Sequence, residues 1–397
     1  MSCTYQFLQR KKISICFVLF LSSCGVFKSA LPSPITNSDN AAAASDISYS
    51  LVSAGHDHTC GLGTSGFLNC WGLNKDGRLG DQTTTDHFTP LRIDKSQTYK
   101  SVAAGSTHTC GITTNGVLKC WGENLEGQIG DVASANQLSP VIIDTGISYN
   151  TTSAGYEHSC GLTSTGTLKC WGSNNYGQLG DGTTNAKLTP TIIDSEVSYS
   201  QVTAGDGSTC GLTTTGVLKC WGYNAAGQIG DGTKINRSTP VIIDSGITYS
   251  QISTSGTHTC GITTTGTLKC WGWNSFQQLG DGTSVSKTTP VVIDSGVNYS
   301  RISAGTYYTC GITTTGTLKC WGWNISFQLG NNSSNQQGTP LVIDSGVNYS
   351  FIAAGNDHTC GITTAGALKC WGSNSNGQLG DGTNTNATAP IEIGASK

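Results

Sequence analysis

From residue 46 onward, short runs rich in Thr, Ile and Val are broken at close intervals by Gly, Asn and Pro. β-Branched residues between turn formers predict short strands, and no segment sustains a helical period. One stretch shows the unit: Tyr299-Ser300-Arg301-Ile302-Ser303-Ala304-Gly305, then Thr309-Cys310-Gly311-Ile312-Thr313. After a turn at Gly316 come Thr317-Leu318-Lys319-Cys320-Trp321-Gly322, a loop through Asn324 and Gly330, and Pro340-Leu341-Val342-Ile343-Asp344. The pattern predicts four antiparallel strands per unit.

The unit recurs seven times at a spacing of fifty residues. Cys60, Cys110, Cys160, Cys210, Cys260, Cys310 and Cys360 share one register; Cys70, Cys120, Cys170, Cys220, Cys270, Cys320 and Cys370 share another, each followed by Trp-Gly. A small unit copied in this way cannot bury its apolar face alone and relies on its neighbours. Seven four-stranded units predict an all-β, seven-bladed β-propeller over residues 46–397, because closing a ring covers sheet faces that a linear stack leaves open at its ends.

The hairpin register predicts the cysteine pairing. Thr314-Thr315-Gly316 fits a three-residue loop with Gly in the left-handed position. Pairing across that loop sets Cys310 opposite Cys320 at a non-hydrogen-bonded rung, where α-carbons lie roughly 4.5 Å apart and a disulfide fits. All seven repeats keep this loop length, so seven local disulfides are expected, and they require an oxidising compartment. The spacing of nine intervening residues does not match the short ligand spacing of zinc sites, and neither a metal nor another cofactor is expected.

The repeat resembles the regulator of chromosome condensation family of seven-bladed propellers. The resemblance rests on Ala104-Gly105 with His108-Thr109, Trp121-Gly122 with Asn124, Gly127-Gln128-Ile129-Gly130, and Pro140. It covers essentially all of residues 46–397 and is nearer to a bacterial, cysteine-bearing branch than to the nuclear member. The nuclear protein acts in nucleotide exchange through an insertion from one blade. The unbroken fifty-residue register here has no such insertion. A secreted relative inhibits β-lactamases through a propeller face, so the resemblance implies a scaffold able to bind proteins without catalysis.

The leader changes the expected location. Arg10-Lys11-Lys12 precede an apolar run, Ile13 to Leu21, that is too short to span a bilayer as an ordinary helix. Leu21-Ser22-Ser23-Cys24 follows and resembles a lipobox. Residues 1–23 therefore read as a lipoprotein-type signal peptide, and Cys24 as the lipidated mature N-terminus. Residues 24–45 read as a flexible tether. Gly25 after the cysteine favours an outer-membrane lipoprotein of a bacterial envelope. A net charge of −3 and 11% charged residues show no basic footprint for nucleic acid.

Most other motifs recur too regularly for catalysis. His58, His108, His158, His258 and His358 share one register, with Ser208 and Tyr308 in the remaining two repeats. A hydrogen-bonded side chain near a strand start is the expected role. Asp181-Gly182-Thr183 and its equivalents resemble a calcium-loop fragment without the remaining acidic ligands, so a turn is expected. No nucleophile elbow, phosphate loop or carboxylate pair stands out. The informative positions differ between repeats. Tyr223, Trp273 and Trp323 follow Trp-Gly in three consecutive repeats, and Phe276, Phe327, Tyr307 and Tyr308 enrich neighbouring loops. These seven residues are the expected partner-binding set, for a protein or other macromolecule. The alternatives are a structural envelope protein, and a glycan- or wall-acting enzyme without recognisable catalytic residues.

Overall fold

A computed structural model describes residues 48–394; the expected signal peptide, Cys24 and the whole of the expected tether lie outside them. Twenty-eight strands form seven four-stranded antiparallel sheets. In the first blade these are β1 (Tyr49–Ala54), β2 (His58–Gly63), β3 (Leu68–Gly72) and β4 (His87–Arg92), paired in chain order from the inner strand outward. The seventh blade ends on Ala387–Glu392.

Each fifty-residue block is thus a complete blade. Ile47-Ser48-Tyr49 matches Val347-Asn348-Tyr349 in sequence, which leads to the expectation that this N-terminal strand completes the last blade; the structure corrects it. Tyr49–Ala54 instead pairs with its own second strand, Ala54 opposite Thr59, and the last blade supplies all four of its strands itself. The ring closes through side chains. Trp71 donates its indole N–H to the Gln378 carbonyl at 3.0 Å, and Thr59 donates to the same oxygen at 2.8 Å. Tyr49, Val52 and Trp71 join the apolar core of the last blade. Gly380 makes this approach possible: its φ is +82°, and a Cβ there would collide with the Trp71 indole.

The same contacts join consecutive blades. All seven tryptophans of the Trp-Gly pairs are fully buried. Six donate to the backbone carbonyl of a Gln in the preceding blade. Trp121 faces Arg78 in that register and its N–H has no partner. Cys310 pairs opposite Cys320 as the hairpin arithmetic requires. All fourteen repeat cysteines are joined within their own hairpins, with α-carbons 4.1 Å apart. Gly316 takes φ +87° in the intervening loop.

At the opposite end of the ring from the residue-57 loops, a Lys–Asp–Tyr clamp recurs. Asp144 accepts hydrogen bonds from Tyr149 (2.6 Å) and Lys169 (2.6 Å). The clamp uses the Asp of one repeat and the Tyr and Lys of the next. Where no repeat precedes, both charged members change: Asn69 replaces the Lys, and Ala44 occupies the Asp register.

Candidate functional site: one end of the ring

In every blade, the loop after the first strand and the loop after the third emerge at the same end. A backbone hydrogen bond ties them: Trp323 N–H to the Tyr307 carbonyl at 2.9 Å, Trp273 to Thr257 at 2.9 Å, and Tyr223 to Gly207 at 2.8 Å. The residue after Trp-Gly therefore lies beside the residue just before the second strand. Variation at either register appears on one surface.

Four of the seven expected residues meet there. Phe276 lies 4.6 Å from Trp323 and 5.1 Å from Tyr307 between ring centroids. Trp273 lies 5.8 Å from Tyr307 and 6.0 Å from Phe276. Tilted and edge-on rings at these separations attract one another. All four are half-buried, neither lost in the blade interface nor isolated in solvent. They bridge the fifth and sixth blades.

Tyr223 is half-buried one blade away and packs on Tyr176, with centroids 4.8 Å apart. Tyr176 was missed by the sequence reading, although it shares the register of Phe276. Gly207 leaves the room for this pair, since a Cβ there would meet both residues at 3.2–3.3 Å. Phe327 is half-buried at φ +64°, where five other repeats carry Gly. Gln277 takes φ +60° at the same register. The residue it faces in the next blade is Gly338, where other repeats place side chains such as Leu138 or Phe88. The left-handed conformation costs a non-glycine residue about 1–2 kcal/mol, and both outliers flank the aromatic cluster.

Tyr308 does not belong to this surface. It is fully buried, and its hydroxyl lies 2.6 Å from the His358 carbonyl and 2.8 Å from Thr359 Oγ1. The second strand of its blade begins at Tyr308, so the residue takes the histidine register and reaches into the next blade. The histidines do the same. Nε2 of His58, His108, His158, His258 and His358 lies 2.7–2.8 Å from a hydroxyl of the following blade, the last on Thr59. That hydroxyl gives its single proton to a backbone carbonyl, as Thr109 does to Arg78 at 2.8 Å. Each imidazole therefore donates from Nε2, and its burial favours the neutral form. Burial holds His108 and His258 down at about 3, and His158 and His358 at about 4. Asp181 serves its own turn, accepting from Thr183 N at 2.9 Å and Asn174 at 3.1 Å.

At the axis, a cavity of about 130 Å³ opens at this same end, lined by the residues that turn the first strand into the second in all seven blades. His56, Asp206 and Asn356 line it. The His56 imidazole lies 2.6 Å from Asp57, and that hydrogen bond raises the histidine above its ordinary value. Burial works to raise Asp57, but the contact with His56 prevails and lowers it.

Residues 28–299 match the RCC1-like domain, and residues 299–328 and 350–378 match the regulator of chromosome condensation (RCC1) repeat. The chain belongs to the RCC1-like family. Human WBSCR16 is similar in structure, with a TM-score of 0.75, 23% identity, and coverage of 82% of this chain and 93% of that one. A second similar structure is that of Kap60 bound to yeast RCC1 (Prp20), at a TM-score of 0.73, 19% identity, and coverage of 87% and 85%. Prp20p from Saccharomyces cerevisiae, described with its binding to Gsp1p and histones, gives 0.73, 21%, and 87% of each chain. At these identities the likeness is one of fold. No curated protein matches the chain by sequence.

Proposed function

We infer that this RCC1-like propeller is a non-catalytic binding scaffold that captures a protein partner on the end of the ring carrying the aromatic cluster. The observation that carries the reading is the convergence of Trp273, Phe276, Tyr307 and Trp323, all half-exposed, from two adjacent blades. Half-exposed aromatics that already touch lose little side-chain freedom on binding and can anchor an interface. The unbroken repeat supports binding over nucleotide exchange, because no blade carries an inserted segment between its strands. Similar propellers are described in complex with Kap60 or binding Gsp1p and histones, which supports protein recognition as a use of the scaffold. We extend the reading to location: the leader delivers the chain to a bacterial envelope, where lipid on Cys24 holds it, and the disulfides suit that oxidising compartment.

Cross-linking in intact envelopes, followed by peptide mapping of the captured complex, tests the reading. Cross-links should concentrate in residues 273–277, 306–307 and 323–327. Cross-links confined to the hairpin tips at the opposite end, around residues 64–67 and their equivalents, would contradict it.

A further inference from the structure

The aromatic cluster explains why a partner would adhere, but it says nothing of the partner's charge. The axial cavity beside it does. Asp206 belongs to the cavity lining, as does Thr306, the immediate neighbour of Tyr307 in the cluster. Asp57 and Asp357 follow lining residues directly in the chain. The three carboxylates come from the first, fourth and seventh blades, and His56 acts electrostatically on all three. Asp206 thus lines the opening itself, and Asp57 and Asp357 flank it through their neighbours His56 and Asn356.

The cations of this end are mostly engaged. His56 bonds Asp57, and Arg78 is buried, bonding Asp76 at 2.7 Å and the Ser106 carbonyl at 3.0 Å. Lys75 is the exposed lysine among the residues after the Trp-Gly pairs. Asp357 receives two hydrogen bonds, from Gln328 at 3.1 Å and from its neighbour Asn356 at 2.8 Å, and no cation pairs with it among the described residues. Asp206 is exposed at the mouth and lines the cavity, whose walls shield it from part of the solvent. That setting raises its carboxyl above the ordinary range, with His56 opposing the rise.

The local sequence makes room for this carboxylate. Gly256 stands in the next blade at the register of Asp206, and a Cβ there would occupy the place of the Asp206 carboxylate. No other blade pairs an acid with a glycine at this register: the series reads His56, Ser106, Tyr156, Asp206, Gly256, Thr306, Asn356.

We propose that the partner segment is basic and apolar: it places a lysine or arginine over the axial mouth, among Asp57, Asp206 and Asp357, while its apolar side chains lie on the aromatic cluster. Carboxylates in a concave, protein-walled opening focus field and attract a cation more strongly than the same charges on a flat surface. A guanidinium or ammonium would also gain from the neighbouring aromatic faces. The proposal rests on the reading of this end as the binding surface.

Selection of a random twelve-residue peptide library against the mature, oxidised chain tests it. Enriched peptides should carry Lys or Arg beside apolar residues. Asp206→Asn with Asp357→Asn should weaken them about tenfold at low salt, with a much smaller loss at 0.5 M salt, where such charges are screened. Gly256→Ala, which keeps the charge and displaces the Asp206 carboxylate, should weaken the same peptides with an unchanged melting temperature. Binders that lack basic residues, or that lose affinity with Trp273→Ala and Trp323→Ala yet ignore both acid variants, would overturn the proposal and leave the aromatic binding surface standing. A library yielding no binder sensitive to either set would overturn both, as would selective binding of N-acetylglucosamine oligomers in place of peptides.

Discussion

At the scale of residues, one register does different work in different blades. Histidine, serine and tyrosine alternate two places before the first hairpin cysteine. His58, His108, His158, His258 and His358 are all buried and neutral, and their folded-state values lie well below the ordinary 6.5. The unfolded chain takes up these protons near pH 6.5, while the folded chain refuses them until far lower. The stabilisation is therefore complete above about pH 6.5 and is lost as pH falls toward the folded values. Each histidine contributes a slope of up to about 1.4 kcal/mol per pH unit within that window. Thermal unfolding followed from pH 7.5 to 4.5 should show a steep fall in melting temperature below pH 6.5. Replacing His108 and His258 by Gln should flatten it. A flat profile in the parent chain would show that the imidazoles are not held neutral. Tyr308 marks where sequence reading fell short. Adjacent to Tyr307, it reads as a second loop aromatic, but the strand begins between the two and turns its ring inward. The register it shares with the histidines was the available signal. Asp206 and Gly256 were missed for a different reason: their pairing runs between blades and leaves no mark in either repeat alone.

At the scale of elements, the hairpin was almost wholly legible. Loop length sets register, register sets which residues face each other, and a period of two decides which pairs are close. That arithmetic placed Cys310 opposite Cys320. Each bridge closes a separation of ten residues, so its effect on the unfolded chain is moderate. Replacing Cys310 and Cys320 together by Ser should cost about 2–3 kcal/mol and leave the remaining bridges intact, as measured by denaturant unfolding and non-reducing peptide mapping. Loss of all cooperative unfolding would mean that the blades do not support one another as the shared cores suggest. The outer strand was less legible. It starts at Gln337, before the Pro340 that seemed to open it. Proline is tolerated there because the outer edge has no further strand to bond.

At the scale of the whole molecule, closure was the element read wrongly. Interleaved ends resist ring opening, yet the ring closes with complete blades at both ends. The contacts that join any two blades are sufficient here: the Trp71 indole, the His358–Thr59 hydrogen bond and the mixed apolar core. Closely similar junctions follow from closely similar repeats, and the repeat is what makes the fold readable. For the same reason the repeat conceals the function, which we place in the few positions that depart from it. The proposed anchoring is tested separately. Cys24→Ser should release the propeller from membranes or block its processing, read by fractionation and by the mass of the mature N-terminal peptide. Unchanged membrane attachment and an unchanged peptide mass would refute lipidation.

The central claim is that the half-buried aromatics of the fifth and sixth blades serve a partner and are not filler between blades. The most direct test is Trp273→Ala combined with Trp323→Ala, with affinity for the cross-linked partner and melting temperature measured on the same protein. The account predicts a binding loss of about 2 kcal/mol or more with a melting temperature near that of the parent. A destabilised ring that binds its partner with parental affinity at low temperature would contradict it.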